Sequence, residues 1–142
     1  MKTILFLIIS TLLSLGVFAQ SKTVSTDVKF NSIVVLQDFQ GDVTVQSWDQ
    51  QTVKITTEDG TVLQIFKTED AVFFSPLSGQ ENKNTKYIVY LPKSVKLDWY
   101  SSNANLNIKG EFAALKLENT TGNTTLDLQN VVPSVLAYSS NQ

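Results

Sequence analysis

The sequence predicts an all-β protein, with N-terminal antiparallel strands leading into a short β-solenoid whose coils are about 20 residues long. Three observations point there. Apolar residues alternate with a period of two along most of the chain after residue 20, no apolar stripe of helical spacing is found there, and the second half matches itself at a fixed shift. The enriched residues, Thr, Ser, Asn, Val and Leu, favour strands and turns.

The first segment is read as a removable leader. Lys2 supplies a positive start, Ile4 to Phe18 is apolar, and Val17-Phe18-Ala19 offers modest residues to a signal peptidase, so residues 1–19 are expected to be cleaved between Ala19 and Gln20. The apolar run of about 15 residues is short of the roughly 20 that span a bilayer. No second such run follows, so no membrane span is expected after cleavage. No cysteine follows the run either, which closes acylation and leaves the product secreted, periplasmic or on the cell surface. Residues 20–142 then form a single β-rich domain, with no linker composition inside it.

The strands come as doublets about ten residues apart: Ile33 and Val35, Val43 and Val45, Val53 and Ile55, Leu63 and Ile65, then Phe73. Between them fall the turn sequences Gln40-Gly41-Asp42, Trp48 to Gln51, Glu58-Asp59-Gly60 and Thr68-Glu69-Asp70. Asp59-Gly60 suits a tight hairpin and predicts Val53–Thr57 antiparallel to Thr61–Phe66.

Val95 to Ile108 aligns without a gap on Leu115 to Leu128, and a third copy begins at Ser134. Two strands and two polar corners per unit are what one solenoid coil requires. Val95 would stack on Leu115, Leu97 on Leu117, Leu106 on Leu126 and Ile108 on Leu128. Asn103 over Asn123, with Asn141 beside them, would make an amide ladder. An antiparallel meander of similar hairpins is the alternative, and it stays open for residues 28–75 as well.

With 11 lysines, no arginine, 13 carboxylates, no histidine and no cysteine, the chain cannot build a disulfide framework, a thiol nucleophile, a Cys/His zinc site or a Ser-His-Asp triad. A net charge of −2 and the missing guanidinium argue against nucleic acid as a partner. No cofactor and no metal site is expected.

The order of motifs resembles a family. Gly41-Asp42-Val43-Thr44-Val45, Trp48-Asp49 and Val53-Lys54-Ile55 look like the opening strands and turn of the putative adhesin domain family of exported bacterial proteins. Tyr87-Ile88-Val89-Tyr90-Leu91-Pro92, then Val95-Lys96-Leu97 and the Ser-Ser-Asn and Thr-Gly-Asn corners, resemble its later portion. The resemblance spans most of residues 28–142 and implies a β-solenoid, an extracytoplasmic location in the bacterial envelope and no established catalytic residues. Members of that family usually run further, whereas this sequence stops inside a repeat. The chain is therefore read as truncated at its C-terminus, with an open last coil at Val135, Leu136 and Tyr138 that frays or associates edge to edge.

Five residues are candidates for surface binding: Trp48, Asp49, Asp98, Tyr100 and Glu118. Trp48 beside Asp49, and Trp99 beside Tyr100, can form an aromatic platform for sugar, though tryptophans near turns more often close a core. Lys96 and Asp98 point outward, and Lys116 and Glu118 of the next coil fall in the same columns. Stacked like charges there would be relieved by a cation such as calcium between Asp98 and Glu118, but the aspartate repeat of calcium-binding β-helices is missing and neighbouring lysines suffice. Carboxylate pairs for glycoside hydrolysis can be drawn from Asp42, Asp49, Asp59, Asp70, Asp98 and Asp127, most of which lie in turns where Asp is chosen for turn chemistry. Two sequons, at Asn119 and Asn123, are given no function. What remains is a non-catalytic adhesion or interaction module for a polysaccharide or an envelope protein, or alternatively a carbohydrate-active or carbohydrate-binding accessory domain.

Overall fold

The computed structural model describes residues 21–77 and 85–129, and the short strand at 137–138 as backbone. The expected leader with its cleavage site, and most of the third repeat, lie outside the described residues. Every regular element described is a strand: β1 (Lys22–Asp27), β2 (Ile33–Gln37), β3 (Gly41–Trp48), β4 (Thr52–Thr57), β5 (Leu63–Lys67), β6 (Ala71–Pro76), β7 (Lys86–Pro92), β8 (Lys96–Gly110), β9 (Ala114–Thr121), β10 (Thr124–Leu128) and β11 (Ala137–Tyr138). No helix among the described residues is long and apolar enough to cross a membrane.

The strands form two layers that share β8. One layer runs β1, β4, β7, β3, the second half of β8, and β10; the other runs β5, β6, β2, the first half of β8, β9 and β11. Because β8 belongs to both, the sheet wraps its core as a nearly closed, barrel-like structure. Antiparallel pairs occur at β1–β4, β4–β7 and β5–β6, whereas β3 lies parallel to β7 and β8, and β2 parallel to β6 and β8.

Three successive stretches cross from one layer to the other in the same way. β2 passes into β3, β8 bends within itself, and β9 passes into β10. Along β8 the inward residues are Leu97, Trp99 and Ser101, then Ala104, Leu106 and Ile108. The alternation slips by one at Ser102-Asn103, where the chain turns the corner. Gly41 of β3 pairs with Ala104, and Gly122 sits against the Ala104 carbonyl, so a column of small residues lines this corner. Gly122 has φ +95° and a Cβ there would lie 2.1 Å from the Ala104 oxygen.

That column sets the register, which differs by two residues from the repeat alignment. Leu97 pairs with Leu115, Trp99 with Leu117, Thr124 with Leu106 and Leu126 with Ile108. A two-residue slip keeps every side chain on its own face, so alternation alone cannot distinguish the two registers. Consequently Asn103 lies beside Thr121 rather than Asn123. The polar ladder forms one face over: the Asn105 amide donates to Asp42 Oδ1 at 3.0 Å, and the Asn123 backbone N–H reaches Asn105 Oδ1 at 3.4 Å.

The core holds Val34, Leu36, Val43, Val45, Val53, Ile55, Val72, Phe74 and the β7 to β9 apolar residues. The doublets of β3 and β4 point inward as expected. In β2 and β6 the phase is reversed, with Val34, Leu36, Val72 and Phe74 inside, because both strands are apolar on both faces. Val35 faces outward yet is buried between its neighbours Phe73 and Asp98. Phe39, at the first corner, inserts against Tyr87 at 4.9 Å and Trp99 at 5.9 Å.

The hairpin expected at Asp59-Gly60 does not form: β4 pairs with β1 and β7, and β5 with β6. Asp59 instead caps a corner between layers. Its Oδ1 accepts from the Thr61 N–H at 3.0 Å and from the Thr61 hydroxyl, and its Oδ2 from the Thr85 hydroxyl at 2.7 Å. Burial pushes the Asp59 carboxyl up, but the Thr61 and Thr85 hydrogen bonds outweigh it and hold the group below the usual aspartate value of 3.8.

Two stability predictions follow from the corners. Gly122→Ala is expected to cost about 3 kcal/mol through positive φ and the backbone clash, read as a lower urea midpoint. Asp59→Ala is expected to cost about 1–2 kcal/mol near neutral pH. A lowered folded pKa gives stability that is present above 3.8 and lost as pH falls through the folded value. The gap between Asp59→Ala and the parent should therefore narrow in acid, and an unchanged gap would sink this account of the corner.

Candidate binding surfaces

Alternation sends every second side chain of the first layer outward, and in-register pairing lines them up across strands. Thr56, Ile88, Thr44, Asn107 and Thr125 form one such row, and Lys86, Asp42 and Asn105 another, with Asn123 beside Asn105. These rows are mostly uncharged, and two clefts of about 360 and about 260 Å³ open along them. Ile88, 46% exposed, is their apolar exception.

At the end of this face, β3 runs into the turn that carries Trp48 and Asp49. The indole N–H donates to the Thr52 carbonyl at 2.8 Å, and the ring stacks on Tyr90 of β7 at 4.9 Å with 25° between planes. Asp49 closes an ion pair with Lys93 at 2.9 Å; the side chains are 89% and 49% exposed. Hydrogen bonding to Asp49, its charge, and the charge of Glu111 raise the Lys93 ammonium above the usual lysine value. Trp48, Asp49 and Lys93 are shared by two adjoining clefts of about 510 and about 290 Å³.

The other three candidates, Asp98, Tyr100 and Glu118, lie on the outer face of the second layer. The observed register puts Lys116 beside Asp98, and Glu118 beside Tyr100. Like charges therefore do not stack as expected: Lys116 lies 5.8 Å from the Tyr100 ring centroid, among Asp98, Tyr100 and Glu118. The Tyr100 hydroxyl first, then the two carboxylates, hold its ammonium above the usual value. Burial pushes the Asp98 carboxyl up, and the Lys116 charge only partly opposes it. Among the described residues no group of three or more metal-ligating side chains is assembled.

The five candidates thus divide between two faces on opposite sides of one core. Trp99, proposed with Tyr100 as a platform, is fully buried and its indole N–H has no protein partner. Asn119 of the first sequon is likewise buried, donating to the Ala104 carbonyl and the Thr124 hydroxyl, both at 3.1 Å. Tyr90 and Lys93 were missed by sequence reasoning, whereas Lys116 was placed on the right face but in the column of Lys96 rather than of Asp98. The signal for Tyr90 was available, since it shares the outward phase of Ile88.

The described residues define an all-β, two-layered domain with a polar face, an aromatic corner and a separate charged face. No family model and no curated protein sequence matches the chain. Its fold is similar to that of a putative adhesin from Bacteroides fragilis NCTC 9343, with a TM-score of 0.53, 12% identity, and coverage of 84% of this chain and 60% of that one. Two structures from Parabacteroides distasonis ATCC 8503 are more distant. One is a putative adhesin (TM-score 0.40, 15% identity, 82% and 55% coverage), the other a putative lipid binding protein (0.37, 11%, 82% and 63%). The chain spans less than two thirds of each of these proteins. At such identities the likeness is one of fold, and it agrees with the resemblance carried by Gly41–Ile55 and Tyr87–Leu97.

Asp98 supplies a pH prediction. With its folded pKa raised above 3.8, the folded state binds more protons between the two values, so stability falls as pH rises through that window. Asp98→Asn is expected to be more stable than the parent above the window and equal to it in acid. Thermal melts across about pH 3 to 7 measure this, and an advantage that persists in acid would show a different cause.

Proposed function

We propose that the chain is a non-catalytic, exported interaction module of the bacterial envelope, built as a short β-solenoid and acting at the surface or in the periplasm. The carrying observation is the face of Thr and Asn rows that the parallel, in-register strands β3, β8 and β10 lay out. Such a face offers many donors and acceptors with no single focus, which suits a repetitive ligand held by many weak contacts. The coil reading is supported by the repeated crossing from layer to layer at small residues. Adhesion is supported by the adhesin of like fold, and export by the leader read at residues 1–19. Trp48 and Tyr90 favour the second reading, a carbohydrate-binding accessory domain, over an enzyme.

Expressed with its own leader, the chain is expected in the periplasm or medium with an intact mass beginning at Gln20. It should bind bacterial cells or their isolated envelope. Thr44→Lys, Asn107→Lys or Thr125→Lys alone should weaken binding about two- to fivefold, or about 0.5–1 kcal/mol, and the three together more than tenfold. The pair Asp98→Asn and Glu118→Gln should leave binding unchanged. Loss confined to that pair would move the binding face to the other layer, and turnover of a glycan would replace the module with an enzyme.

A further inference from the structure

We propose that the Trp48 corner is a subsite for an uncharged polysaccharide, with pyranose rings packed on the indole and hydroxyls bonded to the polar rim. This rests on the reading of the chain as an interaction module and gives that module a ligand class.

The indole is held before any ligand arrives. Its N–H is occupied by the Thr52 carbonyl and one side is supported by Tyr90, so what the ring has left to offer is apolar π surface. A side chain fixed by its own turn loses little entropy on binding. The faces of a pyranose carry C–H bonds, which suit the electron-rich face of an aromatic ring.

The surroundings suit a chain rather than a single small molecule. Trp48 is the wall common to two clefts, so a linear polymer can run past it and fill both. Phe30, 75% exposed, adds apolar surface to the smaller one. In the larger one Gln46 and Gln129 supply both donors and acceptors, and Asp127 supplies acceptors, which is the mixture vicinal hydroxyls require.

Charge selects for a neutral polymer. Lys93 and Lys109 share the larger cleft with Asp49, Glu111 and Asp127, and one lysine is already tied to Asp49. Mixed signs at such short range leave no field strong enough to gather a polyanion or a polycation, and no arginine fork exists to clamp one.

The test uses the two indole N–H signals of the ¹⁵N-labelled exported chain, assigned with Trp48→Phe, with buried Trp99 as internal reference. Titration with soluble neutral glucan, mannan, galactan and xylan is expected to shift the Trp48 signal saturably with at least one of them while Trp99 stays in place. Longer oligosaccharides should bind more tightly than monosaccharides, and salt up to about 0.5 M should change affinity less than twofold. Trp48→Ala should lose at least about tenfold in affinity and Trp48→Phe, which keeps an aromatic face, no more than about threefold. The titration itself is read on the unmodified chain, so it needs only the conservative Trp48→Phe for assignment and not the folding of Trp48→Ala. No Trp48 shift with any of the four, a shift only with charged polymers, or unchanged affinity in Trp48→Ala would overturn the subsite. If Trp48→Ala still binds cells as the parent does, the interaction module stands without this subsite. A Trp48 shift without any envelope binding supports the subsite and removes the envelope module.

Discussion

The corner between the two layers stacks small residues where its three crossings meet, and most of the structure depends on that. Gly41, Ala104 and Gly122 occupy equivalent places as β2 passes into β3, as β8 bends and as β9 passes into β10. Stacking these small residues fixes how far each crossing is displaced along its neighbour. The inward columns on both sides of the corner then fall into line: Val34, Leu97 and Leu115 on one side, Val43 and Leu106 on the other. Once the inner columns are fixed the outer rows have no freedom left, so the polar face and the charge pairs are consequences of the corner.

Much of this was legible in the sequence where the information is local. Val43 and Val45, Val53 and Ile55, and Leu106 and Ile108 alternate with polar neighbours, and their inward direction could be read directly. Where a strand is apolar on both faces the pattern fails. Ile33 to Leu36 and Val72 to Phe74 give no sign of which residues go inside, because the outer face near Phe73 and Val35 is apolar too. The Asp59-Gly60 dipeptide was ambiguous for a different reason. Its turn chemistry is real, but the carboxylate takes Thr61 and Thr85 hydroxyls and sends the chain across the core rather than back along β4.

The candidate sites show the same division. Trp48 and Asp49 are adjacent in sequence and stay together, so their association needed no fold. Tyr90 and Lys93 reach them only because β7 lies parallel beside β3, a long-range pairing that no spacing reveals. On the other layer the alignment error of two residues reversed the electrostatics, putting like charges in one column where the folded chain puts Asp98 beside Lys116. Two residues preserve the face and change the partner. Arguments from sequence repeats about which side is exposed are therefore sturdier here than arguments about which charges meet.

A core closed by wrapping strands also decides where binding can occur. Phe39, Tyr87 and Trp99 fill the interior against one another. On the outer faces single contacts are solvated and weak. Such a surface gains affinity in two ways: by repeating a modest contact along the rows, or by fixing one large apolar group in place so that little entropy is lost when it is covered. The Thr and Asn rows follow the first way and the pinned Trp48 the second, and both lie on the outer face of the same layer. A ligand long enough to lie along β3 can use them together, which neither the buried Trp99 nor the Lys116 cluster on the far side can join.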